Sequence, residues 1–120
     1  MITVIDKIEK ERITPEDFVA LIEIPKNGKK KYELDKTTGF MIMDRILYTS
    51  THYPSNYGLI PRTLADDGDH LDVLVLSSEC IETNILVRCY PIGMITMIDQ
   101  NSKDDKIIAI PFSDPVYNCY

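Results

Sequence analysis

The sequence predicts a single, mainly β domain, and three observations carry that prediction. Six runs, FVALIEI, KKYEL, FMIMDRILY, LDVLVLS, ILVRCYPIGMITMI and DKIIAIPF, are apolar and strand-like, with turn residues between them. The length of 120 residues is close to that of one common domain and excludes a second independent one, so residues 1–120 are expected to form one unit. Hydrophobic residues at 44% against charged residues at 27% supply enough apolar surface for a core and set the chain apart from disordered sequences.

Taken in order, Ile2 to Glu16 mixes charged and apolar residues without a clear period, and Pro15 follows Thr14 in a capping arrangement. A short helical turn or an arm is expected there. From Phe18 the strands begin. The segment DKTTG, Asp35 to Gly39, reads as a hairpin turn, because Gly39 can supply the positive φ that closes it. Thr49 to His70 holds two prolines, two glycines and little periodicity, so a long loop across a barrel mouth is expected, the kind of loop that carries function. No internal repeat or low-complexity tract interrupts the chain, and Lys29, Lys30 and Lys31 form the one like-charge run. Five to six short strands with long connections predict a small Greek-key barrel of oligonucleotide-binding (OB) type.

Thirteen Lys and Arg against nineteen Asp and Glu leave a formal net charge of −6, which disfavours nonspecific nucleic-acid or anionic-membrane binding and favours a cationic partner. Cys80, Cys89 and Cys119 are widely spaced, with no CxxC and no histidine pair to complete a zinc site, so reduced structural thiols are expected. The N-terminus lacks an apolar signal core, and no apolar stretch reaches membrane-spanning length. A soluble, cytoplasmic protein is the expectation.

The most informative segment is Asp66-Asp67-Gly68-Asp69-His70-Leu71-Asp72, four carboxylates in seven residues running into an apolar strand. Carboxylates this close repel one another unless a cation sits between them, and oxygen-only ligands suit Mg2+, Mn2+ or Ca2+ rather than zinc. The alternative is an acidic, solvated loop. An EF-hand is excluded: counting from Asp67, Asp72 falls where a glycine is needed and Ser78 where a bidentate glutamate is needed. A second cluster, Asp99, Asp104 and Asp105 with Lys106 after it, reads alone as a polar hairpin and together with the first as the completion of a multi-metal site.

Lys31 and Glu33 alternate on one strand and share a face, and Arg45 follows Asp44. An ammonium and a guanidinium beside a metal cage suit a phosphate-bearing substrate, while surface strand charges are the plainer alternative for each. Tyr53 and Tyr57 are either core aromatics with a wet hydroxyl or phosphate-contacting phenols. His52 and His70 lack partners for a zinc pair or a nucleophile elbow, and His70 is expected to be exposed. No Walker loop and no GxGxxG is present.

DGDHLDVLV resembles the DGDPxDVLV signature of the soluble family I inorganic pyrophosphatases. The resemblance continues through IEIPKNGKKKYELD, DRILYTSTHYPSNYGLIPRTLADD, PIGMITMIDQNSKDDKIIAIP and SDP, from about Phe18 to Tyr117. It implies a five-stranded, closed OB-like barrel with a flanking helix and Mg2+-dependent hydrolysis of pyrophosphate to two phosphates. It further implies a homo-oligomer, a hexamer as in bacterial relatives. By resemblance, Asp67, Asp72, Asp99 and Asp104 are metal-binding, Asp69 is the general base, and Lys31, Arg45 and Tyr57 bind phosphate. Glu23, Glu33, Tyr53 and Lys106 match supporting positions. His70 stands where the family usually has proline, and Gln100 where many relatives carry an acid. Relatives continue beyond SDP into a C-terminal helix with a phosphate-holding Tyr-Lys pair, whereas this chain stops at Tyr120, so a barrel without that helical segment is expected.

Two other functions compete. One is a single-strand nucleic-acid module using Lys26, Lys29, Lys30, Lys31 and Tyr32, opposed by the net charge and by having one aromatic in the basic run. The other is a catalytically impaired chain that binds divalent cations or pairs with full-length subunits.

Overall fold

A computed structural model describes residues 4–47, 55–63, 70–99 and 102–117. Seven strands dominate: β1 (Phe18–Ile24), β2 (Lys30–Leu34), β3 (Met41–Ile46), β4 (Asn56–Ile60), β5 (Leu71–Val75), β6 (Leu86–Asp99) and β7 (Ser102–Pro111). The mainly β expectation holds. Five strands hydrogen-bond in the order β1-β4-β5-β7-β6, and β6 pairs back onto β1, so the ladder returns to its start. The β5–β7 ladder is parallel and the other four are antiparallel. Strands β2 and β3 form a separate two-stranded sheet.

Strand β1 is buried along its whole length, because a near-continuous apolar run lets it cover two cores at once. Phe18, Ala20 and Ile22 point into the barrel against Ile60, Val73, Val75, Cys89 and Ala109. Leu21 points the other way, onto Leu59, Ile5 and Ile8. In place of the expected flanking helix, the described residues hold two short 3-10 turns, Val4–Lys7 and Lys10–Arg12. The spacing explains this: Ile5 and Ile8 are three apart, which aligns them in a three-residue turn, and both bury on the same cluster. The segment at Pro15 forms no helix. Thr14 Oγ1 accepts from the Asp17 amide at 3.1 Å and donates to the Asp17 carbonyl at 2.8 Å, closing a tight turn that feeds β1 directly.

The hairpin at 35–39 forms as its composition predicts, with Gly39 at φ 83 and the Asp35 carboxylate accepting from the Thr37 amide and the Thr38 hydroxyl. Two expectations are corrected. The long loop from Thr49 to His70 contains β4, and its central Gly58, which disguises the strand in sequence, is where β1 comes closest: a Cβ there would lie 2.0 Å from the Leu21 carbonyl oxygen. The strand expected from Asp105 begins earlier, at Ser102, so Asp104 is strand as well, because the β6–β7 ladder continues through Met97↔Asp104 to Asp99↔Ser102. Cys89 is fully buried, and burial pushes its thiol up to about 12, in keeping with a structural thiol. Cys80 is an exposed free thiol, and Cys119 lies outside the described residues. No helix among the described residues is long and apolar enough to cross a membrane.

Candidate active site

Alternation along each strand separates two faces of the barrel wall. Val73, Val75 and Ala109 fill the interior, so Asp72, Lys106 and Asp104 lie on the opposite face. Asp72 and Lys106 are direct partners in the β5–β7 ladder. The Lys106 ammonium lies 3.1 Å from Asp72 and 3.0 Å from Asp104, and donates to the Tyr57 hydroxyl at 3.4 Å. Burial pulls the Lys106 pKa down, but hydrogen bonds to Asp104 and Asp72 outweigh it and hold the ammonium above its ordinary value. Lys106 is therefore a fixed cation between two carboxylates.

Next to this cluster a cleft of about 490 Å³ opens between the barrel and the β2–β3 sheet. Its walls include Glu23, Lys31, Glu33, Tyr57, His70 and Asp72. Glu23 is buried at a register shift in β1, beside Ile24, which pairs with Tyr57. Burial pushes its carboxyl up to about 7; the Leu34 amide opposes this, Asp72 and Glu33 add to it, and Lys31 opposes it. At neutral pH this group is poised between its acid and base forms.

Lys31 faces Arg45 across the β2–β3 ladder and lies 3.9 Å from Asp44. Arg45 is exposed and is absent from the cleft wall. His70, expected to be exposed, is half-buried and lines the cleft, because β5 begins at the next residue and draws the chain in.

The structure thus brings together Glu23, Lys31, Glu33, Tyr57 and Asp72 around one cleft, with Asp104 and Lys106 beside it. Asp67, Asp69 and Tyr53 lie outside the described residues, as does the side chain of Asp99, whose backbone ends β6. Among the described residues no three acidic, histidine or cysteine side chains converge as a metal cage. A larger groove of about 600 Å³, lined by Ile85, Leu86 and Phe112, offers less chemistry: its Asp114 is taken up by Ser77 and Ser78 and its Arg88 by Asp17. The sequence reading passed over Asn56, which is fully buried and directly precedes Tyr57. An asparagine in a turn-like stretch, YPSNYG, carries no sign that its amide will be enclosed.

The family model for inorganic pyrophosphatase matches residues 20–120. The chain belongs to the inorganic pyrophosphatase family. It is 52% identical over 106 residues to the inorganic pyrophosphatase of Aquifex pyrophilus, covering 87% of this chain and 60% of that protein. To the soluble inorganic pyrophosphatase of Oryza sativa subsp. indica it is 53% identical over 103 residues, covering 86% of this chain and 48% of the relative. Among solved structures, the inorganic pyrophosphatase of Coxiella burnetii superposes with a TM-score of 0.79 at 46% identity, over 82% of this chain and 60% of that one. The chain thus spans between about half and three fifths of the length of these pyrophosphatases. Every strand that builds the cleft, apart from the first two residues of β1, lies inside the stretch matched to the pyrophosphatase family.

Proposed function

We propose that the chain hydrolyses inorganic pyrophosphate to two phosphates, with Mg2+ as the divalent cation and Mn2+ as a substitute. The observation that carries this is the Asp72–Lys106–Asp104 arrangement beside Tyr57, with Lys31 on the other wall of the cleft. Opposite charges face one another across a space large enough for a small polyanion. The donor set fits a hard divalent cation, since Asp72 and Asp104 offer only carboxylate oxygens. Asp67, Asp72, Asp99 and Asp104 would hold the ions. When bound, such ions lower the pKa of water and offset charge on the departing phosphate.

The chain's own residues do the rest. Lys31, Arg45 and Tyr57 bind and orient the phosphoryl oxygens, which is most of what phosphoryl transfer requires. Asp69 takes the proton of the attacking water as its oxygen bonds to one phosphorus and the bridging P–O bond breaks. Glu33, Tyr53 and Lys106 hold neighbouring side chains in place, and Glu23 keeps a protonatable group at the cleft. We place this in one domain folded as a closed OB-like barrel, in a cytoplasmic homo-oligomer, a hexamer on the bacterial pattern, acting on neither nucleic acid nor membrane. Because the chain spans 48–60% of the relatives' length, a second reading stands beside the first: divalent-ion binding without turnover, or pairing with longer subunits.

Phosphate release from pyrophosphate, measured with Mg2+, with Ca2+ and with chelator, separates them. Release that requires Mg2+ and falls by at least about two orders of magnitude in Asp69→Asn supports hydrolysis. No release in the presence of tight Mg2+ binding supports the second reading, and near-normal turnover in Asp69→Asn contradicts the base assignment.

A further inference from the structure

The β2–β3 sheet carries Lys31 and Arg45, yet it shares no strand ladder with the barrel. Its position over the cleft is set by Leu34, which packs on the outer core cluster and whose amide reaches Glu23, and by how the chain leaves β1. That exit is a tight turn in which the Gly28 amide donates to the Pro25 carbonyl at 2.8 Å and Asn27 takes φ 66, the left-handed value a type II turn needs at its third residue. Both backbone groups of Lys26, the residue between, are held by side chains from elsewhere. Its amide donates to Asn56 Oδ1 at 2.9 Å, and its carbonyl accepts from the Cys80 thiol at 3.0 Å.

Asn56 does more than anchor that amide. It is fully buried, and its Oδ1 also accepts from the Ile81 amide at 2.9 Å. Its Nδ2 donates to the carbonyls of Val75 at 3.2 Å and Glu79 at 3.4 Å. Two acceptor sites and two donors are the whole capacity of a carboxamide, and all four are used. Three segments therefore meet on one side chain: the turn entering β2, the end of β5, and the loop at 79–81. Aspartate keeps the acceptors but sets a carboxylate against two carbonyls, and serine is too short to span the gap. The residue after Asn56 is Tyr57, whose hydroxyl accepts from Lys106.

We propose that Asn56 is a positioning residue for substrate phosphate, holding the turn at Lys26 so that Lys31 stands across the cleft from Tyr57 and Asp72; this rests on the pyrophosphate reading above. Small displacements of a binding group are costly in such sites, because orientation supplies much of the interaction. Asn56 touches no substrate. It acts through the turn.

The test compares Asn56→Ser and Asn56→Asp with Phe18→Leu, a core change at the far end of β1 that lowers stability without reaching the cleft. The full chain is titrated with imidodiphosphate, a non-hydrolysable pyrophosphate analogue, in Mg2+, and amide hydrogen exchange is followed at Lys26 and Gly28. Cys80→Ala, at an exposed position, releases the other end of the same turn and serves if the Asn56 variants fold poorly. The expected result is faster exchange at the turn and an analogue affinity weakened by about tenfold or more in the Asn56 variants, in the same direction but smaller in Cys80→Ala, with affinity unchanged in Phe18→Leu. Wild-type affinity in a folded variant whose turn exchanges faster overturns the proposal. So does a turn that does not loosen, or a Phe18→Leu loss equal to that of Asn56. Failure of the wild type itself to bind the analogue overturns the pyrophosphate reading, and the positioning role with it.

Discussion

Lys106 stands directly opposite Asp72 in the parallel β5–β7 ladder, its ammonium 3.1 Å from that carboxylate and 3.0 Å from Asp104. One cation serves two acids on the outer wall of the barrel. The ladder register brings Asp72 to it, and the two-residue repeat of a strand brings Asp104 to the same face. Without Lys106 the two carboxylates would face each other in a partly desolvated place, where like charges are costly.

Lys106→Met is therefore expected to destabilise the chelated protein by about 1–2 kcal/mol, since the side chain is well buried but Asp104 stays partly solvated and screened. Urea unfolding in chelator measures the loss. Adding Mg2+ is expected to recover part of it, because a divalent ion then supplies the missing counter-charge. An unchanged urea midpoint would contradict the bridging role.

Glu23 gives a pH dependence with a definite sign. Its folded carboxyl sits at about 7 against an ordinary 4.5, raised chiefly by burial, so the folded state binds the proton more tightly than the unfolded state. The contribution is fully present below pH 4.5 and is lost as pH rises through 7. The loss amounts to about 3 kcal/mol at most. Glu23→Gln, whose carbonyl can still accept from Leu34, is expected to flatten the fall in metal-free stability between pH 5 and 8 and to be the more stable protein at pH 8. Parallel stability curves for the two proteins would refute this.

The site was legible in sequence where chemistry is concentrated and obscure where it depends on packing. Asp72 and Lys106 stood out as charges at the ends of apolar runs, and the ladder places them together. The residues of DKTTG predicted their turn because Asp35 and Gly39 act locally. Strand β4 did not show, because NYGLI owes its conformation to the close approach of β1 at Gly58, a contact made by residues nearly forty positions away. The strand character of Asp104, one residue before the run DKIIAIPF, was hidden for a related reason: its partner Met97 on β6, not local propensity, extends the ladder through it. Asn56 looked like a turn residue, and only the meeting of three segments around it makes it a buried hub.

Asp114 supplies a second pH-dependent prediction, away from the cleft. Its carboxylate accepts from the Ser78 amide at 2.7 Å, the Ser77 hydroxyl at 3.0 Å, and the amides of Val116 and Tyr117 at 2.8 and 3.1 Å. These donors, the Ser78 amide foremost, hold it well below the usual carboxylate range. A depressed folded pKa stabilises above the unfolded value of 3.8 and loses that contribution as pH falls through the folded one. Asp114→Asn is expected to lower the melting temperature at pH 7, with the gap to wild type narrowing only below pH 3.8, as scanning calorimetry across pH would show. A gap that is constant down to pH 2 would mean that the charge is irrelevant.

Two glycines separate backbone packing from mere chain flexibility. At Gly58 an added Cβ would lie 2.0 Å from the Leu21 carbonyl oxygen, 2.9 Å from its carbon and 3.1 Å from the Ile22 Cα, all backbone atoms of the most buried strand. No side chain can rotate to make room, so β1 and β4 must part. The cost of overpacking then reaches or exceeds about 3 kcal/mol. At Gly93, on the register shift in β6, an added Cβ meets nothing within 4 Å. Gly93→Ala is expected to stay within about 0.5 kcal/mol of wild type. Separation of β1 from β4 would also part Tyr57 from its β1 partner Ile24 in the cleft wall, and Gly58→Ala should lose analogue binding along with stability. Denaturant titrations of both variants test the pair; equal midpoints would show that the β1–β4 contact is looser than its geometry requires.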